Sequence, residues 1–173
     1  MEDFLPNGYE KPESGSKYYK FAAGDNYFRI LSPAITGWLD WEDKKPVRTK
    51  ERPENSIDPS KPAKHFWAFV IWDYKEKVIK ILEITQATIQ TAIFDLHNDK
   101  NWGSPLNYDL NVKKTGEKME TKYSVIPTPP KELSSEIQTA YNSVIIELDE
   151  LYVNGDPFKA IIKENTPSDK VPF

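Results

Sequence analysis

The chain has 173 residues, 27 acidic and 23 basic, for a net charge of −4, and it contains no cysteine. That length favours one hydrophobic core with tails over two cores, and the lack of cysteine excludes disulfides, thiolate metal sites and a cysteine nucleophile. No apolar run approaches membrane-spanning length and residues 1–7 carry acids where a signal peptide carries bases, so no membrane partner is expected.

The charge is unevenly placed. Residues 1–16 hold Glu2, Asp3, Glu10 and Glu13 against Lys11, and residues 134–173 hold seven acids against Lys159, Lys163 and Lys170. The tract between them keeps a small basic excess, so a polyanion has a place to bind while the acidic ends compete for the same surface.

In chain order, residues 1–16 are rich in turn formers (Pro6, Gly8, Pro12, Ser14, Gly15, Ser16) and poor in apolar residues, which predicts a flexible arm. Gly24-Asp25-Asn26 signals a turn into a strand over 27–31, which bends at Ser32-Pro33 and resumes through 35–41. A long first strand broken at Pro33 and Gly37 suits a barrel. Residues 42–64 hold seven bases, five acids and four prolines with almost nothing apolar, and read as a long loop of the functional kind. Next comes a hairpin: 65–72, apolar at nearly every position, a turn over 73–77, and 78–84.

From Thr85 the period changes. Ile89, Ala92, Ile93 and Leu96 mark one face of a short helix, with Thr85 available as N-cap and Gly103-Ser104-Pro105 stopping the chain beyond. Residues 108–114 and 120–126 flank Thr115-Gly116-Glu117-Lys118 as a second hairpin, ended by Pro127, Pro129 and Pro130. Ile137, Tyr141, Val144, Leu148 and Leu151 then recur at four and three residues, predicting a helix capped by Ser134 or Ser135 and docked on the barrel. The expected fold is mainly β: a five-stranded, Greek-key OB-fold barrel with a helix between strands 3 and 4 and an additional C-terminal helix. The expected organisation is an arm over 1–16, the OB-fold domain over 17–152 and a flexible tail over 153–173.

Catalytic and metal signatures are missing. The sequence has no G-x-x-x-x-G-K-[ST] loop, H-E-x-x-H, G-x-S-x-G elbow or zinc spacing, and its two histidines, His65 and His97, are far apart. Asp40, Asp73, Glu83 and Asp109 fall on separate segments, which gives a metal nuclease no spacing to rest on. The chain is therefore read as a non-enzyme with no catalytic residue, cofactor or metal.

The positive signal is aromatic residues interleaved with bases, the pairing a single-stranded nucleic acid needs for base stacking and phosphate contact. Trp38 and Trp41, leading into the basic loop, are candidate stacking residues, with Lys44, Lys45, Arg48, Lys50, Arg52 and Lys64 as phosphate contacts. Strand alternation puts Trp67 and Trp72 in different sets, both apolar, and leaves each open between core and stacking. Tyr74 and Lys75 at the hairpin tip are further candidates. So are Arg29 and Lys80, charges among apolar strand neighbours that need water or a phosphate. Trp102 is expected to plug one end of the barrel. A carbohydrate-binding module, using tryptophans against sugar rings, and a protein-interaction domain are the rival readings.

Several stretches resemble the single-stranded-DNA-binding proteins encoded by tailed bacteriophages: Gly8-Tyr9-Glu10-Lys11-Pro12, Tyr18-Tyr19-Lys20-Phe21, Gly24-Asp25-Asn26, Phe28-Arg29-Ile30-Leu31 and Gly37-Trp38. The likeness continues through Lys64-His65-Phe66-Trp67-Ala68, Leu82-Glu83-Ile84-Thr85-Gln86 and Trp102-Gly103-Ser104-Pro105-Leu106 to about Pro130. It implies an OB-fold that coats single-stranded DNA in phage replication, recombination or repair in the host cytoplasm, as a monomer or weak homodimer. Some phage members hold zinc through Cys and His, which this chain lacks the cysteines to do. The C-terminal Asp169-Lys170-Val171-Pro172-Phe173 is similar to the acidic, Pro-Phe-ended tip by which bacterial single-strand binders recruit enzymes, which implies partner binding by Pro172 and Phe173.

Overall fold

The computed structural model of the protein describes Phe4 and residues 17–161. In chain order these form β1 (Tyr27–Ile30), β2 (Ile35–Glu42), β3 (Lys45–Thr49), β4 (Lys64–Asp73), β5 (Val78–Ile84), α1 (Ala87–Asn98), β6 (Asp109–Thr115), β7 (Lys122–Pro127), α2 (Ser135–Asn142), β8 (Val144–Ile146) and β9 (Phe158–Ile161). The fold is mainly β: strands β1 to β7 make one antiparallel sheet, ordered β3-β2-β4-β1-β6-β7 with β5 on β4, and β8 pairs with β9.

β1 and β2 behave as one bent strand. β4 pairs with β2 through Lys64 to Ala68 and with β1 through Ile71 to Asp73. At the bend Leu31 N donates to Val70 O, and the Ser32 hydroxyl accepts from Val70 N at 2.9 Å, so Val70 keeps both of its backbone bonds across the kink.

The expected barrel does not close. Among the described residues no ladder joins β5 to β7; β7 pairs with β6, α1 packs alongside β7, and residues 17–19 run along the outer edge of β5, with Tyr19 N donating to Ile81 O and Ile81 N to Lys17 O. Covering an edge strand with a short chain segment removes a template for unwanted pairing.

Two cores flank β4. Its Phe69 and Ile71 join Phe28, Leu82, Ile84, Ile89, Ile93, Tyr108, Leu110 and Val112 under α1. On the opposite face Phe66 and Ala68 pack with Leu39 and Leu151, and with Leu148 and Tyr152 of a 3-10 turn over Leu148–Val153. This double cover explains why β4 is apolar at nearly every position.

Three local expectations are corrected. The stretch over 42–64 is not loop throughout, because β3 returns along β2 after a two-residue turn in which Asp43 (φ 50°) and Lys44 (φ 67°) are both left-handed. The N-cap of α1 is Gln86 rather than Thr85, without a side-chain cap. The C-terminal helix stops at Asn142: Ser134 caps it through Ile137 N, but the β-branched Val144-Ile145-Ile146 leaves it as β8 and pairs with β9, which lies in the stretch expected as tail.

Candidate nucleic-acid interface

The face of β4 that carries Phe66, Ala68, Val70 and Trp72 is covered by later parts of the same chain. α2, β8 and β9 lie over Val70 and Trp72, and the Tyr152 hydroxyl fastens the covering segment by donating to Thr36 O at 2.6 Å. Lys50 stands over the Tyr152 ring and Lys17 over the Phe158 ring, at 5.3 and 5.2 Å.

Three of the expected contact residues are withdrawn by burial. Trp72 is 3% exposed. Arg29 is 2% exposed; its guanidinium donates to Leu106 O and Lys131 O and pairs with Asp109. Asp109 also accepts from the Tyr74 hydroxyl at 2.7 Å and pairs with Lys131 at 3.0 Å. Lys80 is buried against Asp73 at 3.0 Å and Glu76 at 3.2 Å. A charge among apolar neighbours does need a partner, but here the partners are carboxylates and carbonyls of the same chain.

The network is tuned accordingly. Burial drives the Tyr74 hydroxyl well above the usual tyrosine range, and its bond to Asp109 adds to this. Burial pulls Lys80 down, but its hydrogen bonds to Asp73 and Glu76 outweigh that and hold it above the ordinary lysine value. Burial also pushes Tyr19 up to about 12, helped by Asp73 and Glu76.

Others fall apart in space. Arg48 forms a two-pronged pair with Glu83, at 2.7 and 2.9 Å, which uses the fork that would grip a phosphate. Tyr74 and the exposed Lys75 lie past the last residue of β4, whereas Lys64 is its first; a strand of ten residues separates its ends by about 30 Å. Trp67 is half-buried against the first core, and Trp102 packs there too, its ring meeting Tyr108 edge-on at 5.5 Å. Trp38 is half-buried between the His65 ring, at 4.9 Å, and the Arg52 guanidinium, also at 4.9 Å. Lys45 is exposed at the start of β3. Pro172 and Phe173 lie outside the described residues.

What the chain does bring together is an open groove of about 1030 Å³ at the β2–β3 end of the sheet. Trp41, 46% exposed, forms part of its wall, with Lys44, Lys61 and Lys64 around it and Leu39 and Ile57 as apolar lining. Glu42, Asp43 and Asp58 also line it, so its lysines do not form an unopposed positive patch.

The groove's outer wall is a braced loop. Asp58 accepts from Ser60 N and the Ser60 hydroxyl, at 2.9 and 2.7 Å, and its backbone carbonyl accepts from Lys61 N and the Ser56 hydroxyl. The Ser60 bonds hold the Asp58 carboxyl below its usual value. At the loop's centre Ile57 N donates to Asp40 Oδ2 at 2.7 Å. The hairpin beneath is close-set: a Cβ on Gly37 would collide with the Thr49 carbonyl and meet the Phe66 ring.

Lys61, Ile57 and Thr85 line the groove without having been sequence candidates. The signal for Ile57 was present, since it is the one aliphatic residue in the polar stretch 50–62 and so marks where that loop touches something.

Asp40, Asp73, Glu83 and Asp109 remain apart and each is engaged as above; among the described residues no group of three or more His, Asp or Glu side chains could hold a metal ion, and no helix is long and apolar enough to cross a membrane. No protein-family model matches the chain, nor does any curated protein or solved structure, so the functional reading rests on these residues and their geometry.

Proposed function

We propose that the protein binds single-stranded DNA without strong sequence preference, as the phage single-strand binders it resembles do, and that the β2–β3 groove is where it does so. The observation that carries the reading is Trp41: a large aromatic ring, nearly half exposed, in the wall of a groove that three lysines also line. Stacking of a base on such a ring is worth about 1–3 kcal/mol and tolerates any base, because every base has a flat face. Duplex bases have no free face, which sets the preference for single strands.

The strand order supports an OB-type frame in an open form. With β1 and β2 taken as one bent strand, β4, β5, β6 and β7 follow as strands two to five, and α1 falls between the third and fourth. The loop after the first strand is a ligand-gripping loop in that architecture, and here it carries the groove.

A carbohydrate is the second reading. The carboxylates Glu42, Asp43 and Asp58 would accept hydrogen bonds from sugar hydroxyls beside Trp41, and they offset the lysines that a phosphate chain would use. A titration of tryptophan fluorescence with oligo-dT at two salt concentrations decides. DNA affinity falls with salt through counterion release, a neutral oligosaccharide is insensitive to it, and failure of oligo-dT to bind at low salt overturns the first reading.

A further inference from the structure

Asp40 is a buried carboxylate, 6% exposed, with no ion-pair partner among the described residues. Such a group is costly to bury unless its oxygens are hydrogen-bonded. Both are: Oδ1 accepts from Trp41 N at 2.8 Å and Oδ2 accepts from Ile57 N at 2.7 Å. The two donors belong to different segments that both line the groove. Trp41 is the stacking ring on β2, and Ile57 belongs to the loop that also carries Lys61. One side chain therefore ties the strand that bears Trp41 to the loop that bears Ile57 and Lys61 through charge-assisted bonds to backbone, which are shorter and stronger than neutral ones.

We infer that Asp40 is a positioning residue of the groove, fixing the separation between Trp41 and the wall formed by Ile57 and Lys61; the inference rests on the single-stranded-DNA reading above. A ligand held between a ring and a lysine needs both at once, so the tie lowers the ordering cost that a loose loop would add on binding. Neutral asparagine cannot replace it: one carboxamide oxygen serves one N–H, and the NH2 group would face the other donor.

The test uses the full chain and oligo-dT. Asp40→Asn is expected to raise the dissociation constant about tenfold, the loss of one ordering bond to a charged group, and to reduce the salt slope by about 0.7 as the Lys61 contact is lost. Asp40→Glu, which keeps the carboxylate, recovers part of the affinity. Hydrogen exchange of the Ile57 amide accelerates in Asp40→Asn. Should Asp40→Asn fold poorly, Ile57→Pro compared with Ile57→Ala removes the same N–H from the loop side, and the proline variant is expected to bind the more weakly. A purely structural role would lower the melting temperature of Asp40→Asn while leaving affinity and salt slope of the folded protein unchanged, and that result overturns the inference. Wild-type protein that ignores oligo-dT while Ile57 exchange still responds to Asp40→Asn would instead bring down the DNA reading, leaving a loop tie of another purpose.

Discussion

Trp38 and Trp41 stand three residues apart on β2, and side chains on a strand alternate, so the two rings face opposite sides of the sheet. Trp38 lies half-buried against His65 and Arg52, while Trp41 opens onto the groove. One short stretch of DNA does not reach both in the same way.

Trp41→Ala is accordingly expected to cost about 1–3 kcal/mol of binding with the melting temperature nearly unchanged, because the ring is half exposed. Trp72→Ala should do the reverse: a ring 3% exposed leaves a cavity costing about 3–5 kcal/mol of stability, with the affinity of the folded fraction intact. Thermal melts and fluorescence titrations of the two variants check the pair.

Arg29→Ala tests the reassignment of that residue from ligand contact to internal brace. Removing it strands part of Asp109's charge in a buried site, a change that costs about 3–5 kcal/mol. Urea denaturation should show this, and oligonucleotide affinity measured well below the transition should not move.

Alkaline pH should undo the same region. Tyr74 and Lys80 both have folded-state values raised above their ordinary 10.0 and 10.5, so each favours its protonated form in the native protein. The stability they contribute is fully present below those ordinary values and is lost as pH rises through the folded ones. Melting temperature is expected to stay level from neutrality to about pH 10 and then fall. Tyr74→Phe should lower unfolding stability at pH 7 by about 1 kcal/mol, the contribution of one hydrogen bond, and flatten part of the alkaline decline in melting temperature.

Salt dependence should be shallow for a DNA binder. Three groove lysines contacting phosphates give a slope of log affinity against log salt near −2, and Lys61→Ala should reduce it by about 0.7. A slope several times steeper would place the main contacts outside the groove.

The strands were legible because their signals are local. The apolar run 65–72, the turn at Asp73, the 3.6-residue period through Ile89 and Ile93 and the Gly116 turn each produced its element. β3 was not, since Lys-Pro-Val-Arg-Thr has one aliphatic residue and Asp43-Lys44 lacks the glycine that usually marks a two-residue turn. The C-terminal period misled for a different reason: Ile137 and Leu151 are both buried as expected, yet two different elements bury them. Among the candidate residues, the fold brings Trp41, Lys44 and Lys64 to one groove, but whether a strand charge meets solvent or a carboxylate depends on partners as distant as Asp109 and Arg29, which no local pattern reveals.

The C-terminal cover over β4 has a consequence for biosynthesis. Every strand of the main sheet has been made by Pro127, but the residues that cover Phe66 and Ala68 come more than twenty positions later, in the 3-10 turn at Leu151. At about 5–20 residues per second a nascent chain carries a bare apolar strip for a few seconds, during which it is open to chaperones and to neighbouring chains. Slowing translation between residues 128 and 151 would lengthen that exposure without altering the finished protein, and truncating the chain before residue 135 would make it permanent.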